Sequence, residues 1–221
     1  MKYYIYISDA KVDMLFPQVP HVIKKKVATE WKIDLKVLST SRKTETEMED
    51  NRIARLDAVV DYIREYGNVG SVDQPDQYIE DTLAMRWGPY GLSQNPPVFF
   101  CGETTETLFG LGGSMQHVIG SGNQGTPLLI AQSSLPILIT LLKKESGREE
   151  RGIEGTFISD EGEEIRAIES IETASGMVSG PKQKVEFLAK RLLQGRGSMR
   201  RNTNLKPHVV LATPLYVALA D

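Results

Sequence analysis

The stretch Leu83–Gly113, "LAMRWGPYGLSQNPPVFFCGETTETLFGLGG", decides how the chain is read. Three short runs within it, "LAMRWGPYG", "PVFFCGE" and "TLFGLGG", are apolar or aromatic and are bounded by Gly, Pro, Asn and Thr. That punctuation predicts three strands of a meander, with "GETTE" as its last hairpin turn. Helical patterns are interspersed with strand patterns on both sides of it, without a regular β-α-β repeat. The expectation is therefore an α+β fold, a single domain over 1–221, whose mixed or mostly antiparallel sheet carries several packed helices.

Upstream, "YYIYIS" is a continuous aromatic and β-branched run and reads as a buried strand. "DAKVDMLFPQVP" follows as a loop punctuated by Pro17 and Pro20. "HVIKKKVATEW" sets Val22, Ile23, Val27 and Trp31 on one helical face, and "IDLKVLS" alternates as a strand. The segment at about 40–50 is dense in charge and reads as an exposed linker or helix lead-in. "NRIARLDAVVDYIREYG" is a helix, with Asn51 as a candidate cap and Gly67 as the stop.

Downstream, a helix is expected from about Leu135 to Glu145 and a short edge strand in "GTFISDEG". "EEIRAIESIETASG" spaces Ile165, Ile168 and Ile171 by three residues and ends on Gly176. "GPKQKVEFLAKRLLQG" opens on Pro181 and closes on Gly195, which brackets a further helix. A mobile basic loop follows at about 195–206. The stretch Lys190–Lys206 holds six positive charges and no acid. "HVVLATPLYVALA" is strongly apolar and reads as one strand kinked at Pro214, or two short ones, in the interior.

Composition narrows the function classes. The 221 residues carry a net charge of −3, which argues against nucleic acid as a partner of the whole surface. A single cysteine, Cys101, excludes an intrachain disulfide and any multi-cysteine zinc site, and its apolar surroundings suggest an inert core thiol. No paired-histidine spacing suggests a metal site. Nothing resembles a signal peptide, and the most apolar stretch falls short of a membrane span. The reading is a soluble, cytoplasmic protein with no membrane partner; a protein partner or homo-oligomer is left open.

The glycine-rich run Thr107–Gly125, "TLFGLGGSMQHVIGSGNQG", raises the question of an anion loop. It lacks the third glycine of a dinucleotide fingerprint and the lysine of a Walker loop. What survives is a turn in which Gly112 and Gly113 admit a ligand to the backbone and Ser114 caps a short helix whose N-terminus attracts an anion. The alternative is a plain strand-to-helix turn needing positive φ. His117, one turn after Ser114, is a candidate acid/base. In "SDAKVD", Asp9, Lys11 and Asp13 are candidates for a cation or phosphate site, or a solvated loop. In "MRWGPYG", Arg86 flanked by Trp87 and Tyr90 suits a stacked ring bearing an anion, or is an ordinary strand.

Taken together, "YYIYISDAKVDML", "MRWGPYG", "GLGGSMQHVIG", "VEFLAKRLL" and "TPLYVALAD" are similar to an uncharacterised bacterial family, a domain of unknown function. The resemblance covers nearly the whole chain and implies a bacterial cytoplasmic protein, with no activity, cofactor or catalytic residue to carry over. The residues themselves favour a ligand-binding or sensor module for a phosphate-bearing or nucleotide-like small molecule. Gly112, Gly113, Ser114, Arg86, Trp87, Tyr90 and Lys11 would form its site. The alternatives are a hydrolase or transferase on such a ligand, with His117 and Asp9 in catalysis, and a protein-interaction domain.

Overall fold

The computed structural model describes residues 2–31, 45–91, 96–120, 138–142, 160–198 and 206–221. Its contacts divide the chain into two compact units, Met1–Ile7 with Gly70–Asp221, and Ser8–Val69. The architecture is α+β, with a seven-stranded, mostly antiparallel sheet.

The larger unit is built on the expected meander. β3 (Tyr78–Pro89), β4 (Pro97–Glu103) and β5 (Thr107–Ser114) pair antiparallel in sequence, with Arg86 opposite Cys101 and Cys101 opposite Gly110. The hairpin turn in "GETTE" closes through Thr104 N–H donating to Thr107 O at 2.9 Å. β7 (His208–Leu219) then runs parallel to β5 on one edge and antiparallel to β6 (Gln183–Arg196) on the other. Because β6 also pairs with β3, the circuit β7–β5–β4–β3–β6 closes into a barrel. Beyond the end of β5, β1 (Tyr3–Ile7) takes over the same edge of β7, and the short β2 (Val69–Gly70) ends the strand order next to β3.

Alternation along these strands sorts side chains onto two faces. Tyr6, Phe100, Phe109, Leu111 and Phe187 fill one cluster, each fully buried. Phe99, Leu211 and Val209 point the other way, under α4 (Asp160–Met177) and the helical residues 138–142. Each such buried side chain contributes about 1.5–3 kcal/mol through burial. Ile168 and Ile171 of α4 face this layer, whereas Ile165, spaced like them, is 60% exposed.

β6 corrects the helix expected from "GPKQKVEFLAKRLLQG". Its Lys, Glu, Leu and Ala residues have good helix propensity, but Val185, Phe187 and Ala189 also alternate toward the interior. Two neighbouring strands satisfy its backbone and bury that face, so long-range pairing overrides the local preference. The terminal apolar run is one buried strand, and its ladder with β6 slips near Pro214, which lacks an N–H to donate.

The unit Ser8–Val69 is helical. Asp9–Leu15 is α1, correcting the expected loop, since no breaker occurs before Pro17. A 3-10 turn, Phe16–Gln18, leads to α2 (His21–Glu30). In α2 Ile23 and Val27 are buried but Val22 is 79% exposed, so the expected apolar stripe is narrower. α3 spans Glu45–Tyr66, so Asn51 lies inside the helix rather than capping it; the preceding glutamates are good helix formers. Arg55 and Lys24 both sit 4.8 Å from the centre of the Phe16 ring. Trp31 Nε1 donates to Asp57 at 3.1 Å and Lys26 to Asp61 at 3.0 Å, tying α2 to α3. The strands expected in "IDLKVLS" and "GTFISDEG" lie outside the described residues; of the expected 135–145 helix, 138–142 are described and helical.

Gly112 and Gly113 are strand residues, opposite Phe99 and Val98, and neither has positive φ. Their lack of Cβ serves packing. A Cβ on Gly113 would lie 2.8 Å from Tyr6 Cζ and nearer still to the hydroxyl, while one on Gly112 would lie 2.7 Å from Leu138 Cδ1. Gly113→Ala is expected to destabilise the fold by about 1–3 kcal/mol through overpacking against a rigid ring. Tyr6→Phe in the same chain should recover part of the loss. Gly112→Ala should cost less, because a leucine tip can move. Equal melting temperatures for Gly113→Ala and the parent chain would show that this close approach is not required.

Candidate functional site

The meander's middle strands carry Arg86 and Trp87 on opposite faces. Trp87 stacks on Phe100 with ring centres 5.5 Å apart, and its Nε1 donates to Gln183 Oε1 at 2.8 Å. Arg86 shares its face with Cys101, and its Nε donates to Gly180 O at 3.0 Å. Gly180 has φ of 111°, which permits the turn that brings the α4–β6 connection back over the strands.

Beneath that connection lies a cavity of about 260 Å³ lined by Arg86, Cys101, Glu103, Glu172, Ser175 and Lys182, among others. Lys182 pairs with Glu103 at 3.5 Å. Glu172 accepts from Ser198 N–H at 2.8 Å and from Ser198 Oγ at 2.9 Å, anchoring the start of the basic segment. The Cys101 thiol donates to Ser175 O at 3.6 Å. Burial pushes that thiol up, and the Arg86 and Lys182 charges offset this only in part, which suits a protonated sulfur. Among the described residues the Arg86 Nη atoms make no hydrogen bond, and the buried Ser175 Oγ has no partner.

The other candidate residues fall elsewhere. Trp87 and Tyr90 line a second hollow of about 540 Å³ with Pro89 and Met177, and the Tyr90 hydroxyl donates to Met177 Sδ at 3.6 Å. The Gly112 and Gly113 side-chain spaces are taken by Leu138 and Tyr6. Ser114 does cap a short helical turn, a 3-10 turn at Met115–His117, by accepting from Gln116 N–H at 3.3 Å. His117 lies edge-on to Tyr6 at 5.8 Å. Trp87 and Tyr90 both line the second hollow and Arg86 does not, but Trp87 packs against the inner cluster and Tyr90 against the outer, helix-covered one.

In the helical unit, Asp9 holds Arg52 through two bonds, of 2.6 and 2.9 Å, and Asp13 holds Arg55 at 2.9 Å. The carboxylates read as possible cation ligands are thus engaged by arginines. Lys11 donates to Ser8 Oγ at 3.2 Å, and burial pulls its ammonium down to about 7. Sequence reasoning missed Ser8, Ser175 and Lys182. Only Ser8 left a signal, a serine one helical turn before a lysine, and that has meaning only once the segment is helical. Among the described residues no group of three or more His, Cys, Asp or Glu could hold a metal, and no helix is long and apolar enough to cross a membrane.

These features define an α+β protein with a closed, mostly antiparallel barrel and a small polar cavity on its outer, helix-covered face. The chain belongs to the family of unknown function DUF7019, whose model matches residues 2–221. Neither the curated proteins nor the solved structures contain a match.

Lys11 gives a pH signature. Its folded-state value of about 7 lies below the ordinary 10.5, so the folded chain binds fewer protons than the unfolded chain between those values. Stability from this group should therefore rise with pH across about 7 to 10.5 and stay flat below it. Lys11→Met should gain roughly 1–3 kcal/mol at neutral pH, well under the unscreened conversion of the shift. The gain should vanish near pH 10.5, as denaturant titrations of both chains would show. A gain independent of pH would mean that Lys11 does not titrate in this window.

Proposed function

We propose that the protein binds a small phosphate- or carboxylate-bearing molecule in the cavity at Arg86 and acts there as a binding or sensing module. The observation that carries this reading is the buried Ser175 hydroxyl, without a partner among the described residues, lining the same cavity as Arg86. A buried polar atom left unpaired costs about 1–3 kcal/mol, so its retention calls for a bonding partner. Arg86 supplies a planar fork of donors that matches an anionic oxygen pair. Lys182 adds a second cation, tempered by Glu103.

The cavity size and charge restrict the ligand. About 260 Å³ is below the range for drug-sized molecules, which favours a compact metabolite over a dinucleotide. Two cations and two carboxylates line it, so the ligand should present its anionic group to Arg86 and a hydrogen-bond donor to Glu172. The nucleotide-like version loses support, because Trp87 stacks inside the barrel instead of beside Arg86.

A thermal-shift panel of inorganic phosphate, phosphorylated sugars, nucleoside monophosphates and small carboxylates tests the reading. At a hundredfold excess over Kd, a true ligand stabilises by about 2.7 kcal/mol, or about 5–10 °C for a chain of this size. Arg86→Ala should abolish the shift, and Arg191→Ala, outside the cavity lining, should preserve it. No shift across the panel, or the same shift in Arg86→Ala, rejects this site.

A further inference from the structure

Ser8 follows β1 and occupies the cap position of α1. A serine there ordinarily turns its hydroxyl to an amide of the first helical turn. Ser8 makes no such side-chain bond. Its carbonyl instead takes the Lys11 and Val12 amides, both at 3.0 Å, while its hydroxyl accepts from Lys11 Nζ at 3.2 Å. The Ser-x-x-Lys spacing sets both groups on one face of the helix, and Ser8 is only 1% exposed. Of the charged groups α3 packs against α1, Arg52 holds Asp9 and Arg55 holds Asp13. Serine with lysine in place of histidine is a known nucleophile–base combination, and a Ser-x-x-Lys helix turn is one way to build it.

We propose that Ser8 and Lys11 form a nucleophile–base pair that takes the acyl group from a compact activated ester or thioester. The neutral Lys11 amine removes the Ser8 Oγ proton as Oγ bonds to the carbonyl carbon, and the carbonyl π pair moves onto its oxygen. Collapse of that intermediate breaks the bond to the leaving alcohol or thiol, which carries off the proton from Lys11. The acyl-serine ester is then cleaved by water: Lys11 takes the water proton, hydroxide bonds to the acyl carbon, and Ser8 leaves with the proton. Lysine serves as a base at neutral pH only where burial lowers its proton affinity, as it does here. Ser8 is only 1% exposed, which favours a small acyl group. This activity is independent of the Arg86 cavity.

The test is acetylation of the full chain by p-nitrophenyl acetate, reading nitrophenolate release and locating the acetyl group by peptide mass spectrometry. The expected result is a burst with the acetyl on Ser8, removable by neutral hydroxylamine, whose rate rises through an inflection near pH 7. Ser8→Ala should lose the burst. Lys11→Met and Lys11→Arg should slow it about a hundredfold and remove the inflection, with circular dichroism unchanged from the parent. An acetyl amide on Lys11 itself would make the lysine the nucleophile and overturn the pair. So would the absence of acyl-Ser8 in the parent chain, or a burst that survives in Ser8→Ala.

Discussion

β7 is hydrogen-bonded along both edges, and the larger unit depends on that double engagement. On one side it meets β6 over nearly its full length; on the other it meets first β5 and then β1. A strand with two full edges cannot slide by one residue without turning its whole buried set to the wrong face. Val210, Ala212 and Val217 are therefore fixed toward one cluster, while Val209 and Leu211 are fixed toward α4. The glycines of β5 make room on both faces of the sheet, Gly113 inside the barrel and Gly110 and Gly112 under the helices. Gly110 makes room for Phe99, Gly112 for Leu138 and Gly113 for Tyr6.

The meander, its hairpin turn and the apolar terminal strand were legible because their signals are local: alternation, punctuation and composition. β6 was not, because its residues suit a helix as well as a strand, and only its neighbours β3 and β7 decide between them. The segment after β1 failed for the opposite reason. Pro17 and Pro20 lie beyond it, and Asp9–Leu15 itself contains no residue that forbids a helix. The candidate site was legible one residue at a time. Arg86 was found, but its neighbour Trp87 faces away, as strand geometry requires of consecutive residues. Ser175 and Lys182, on either side of the turn at Gly180, line one cavity with Arg86, and no sequence spacing encodes that meeting.

The helical unit handles charge differently from the cavity. Asp9 and Asp13 are each matched to an arginine of α3, so two carboxylates and two guanidinium groups neutralise one another. Lys11, on the same short helix, is placed by burial against a hydroxyl, and its charge becomes conditional on pH. In the cavity, Lys182 is paired and Glu172 is engaged by Ser198, which leaves the guanidinium of Arg86 as the most available charge.

The pairing of β1 with β7 joins residues about two hundred positions apart, Tyr3 to Leu219 being the extreme case. During synthesis at about 5–20 residues per second, β1 leaves the ribosome roughly 10–40 s before its partner exists. Over that interval a tyrosine-rich edge strand stands without its ladder, while the meander β3–β5 can already assemble from neighbouring sequence. Ribosome pausing or a holding chaperone would thus act chiefly on β1, and the synthesis of β7 would release it.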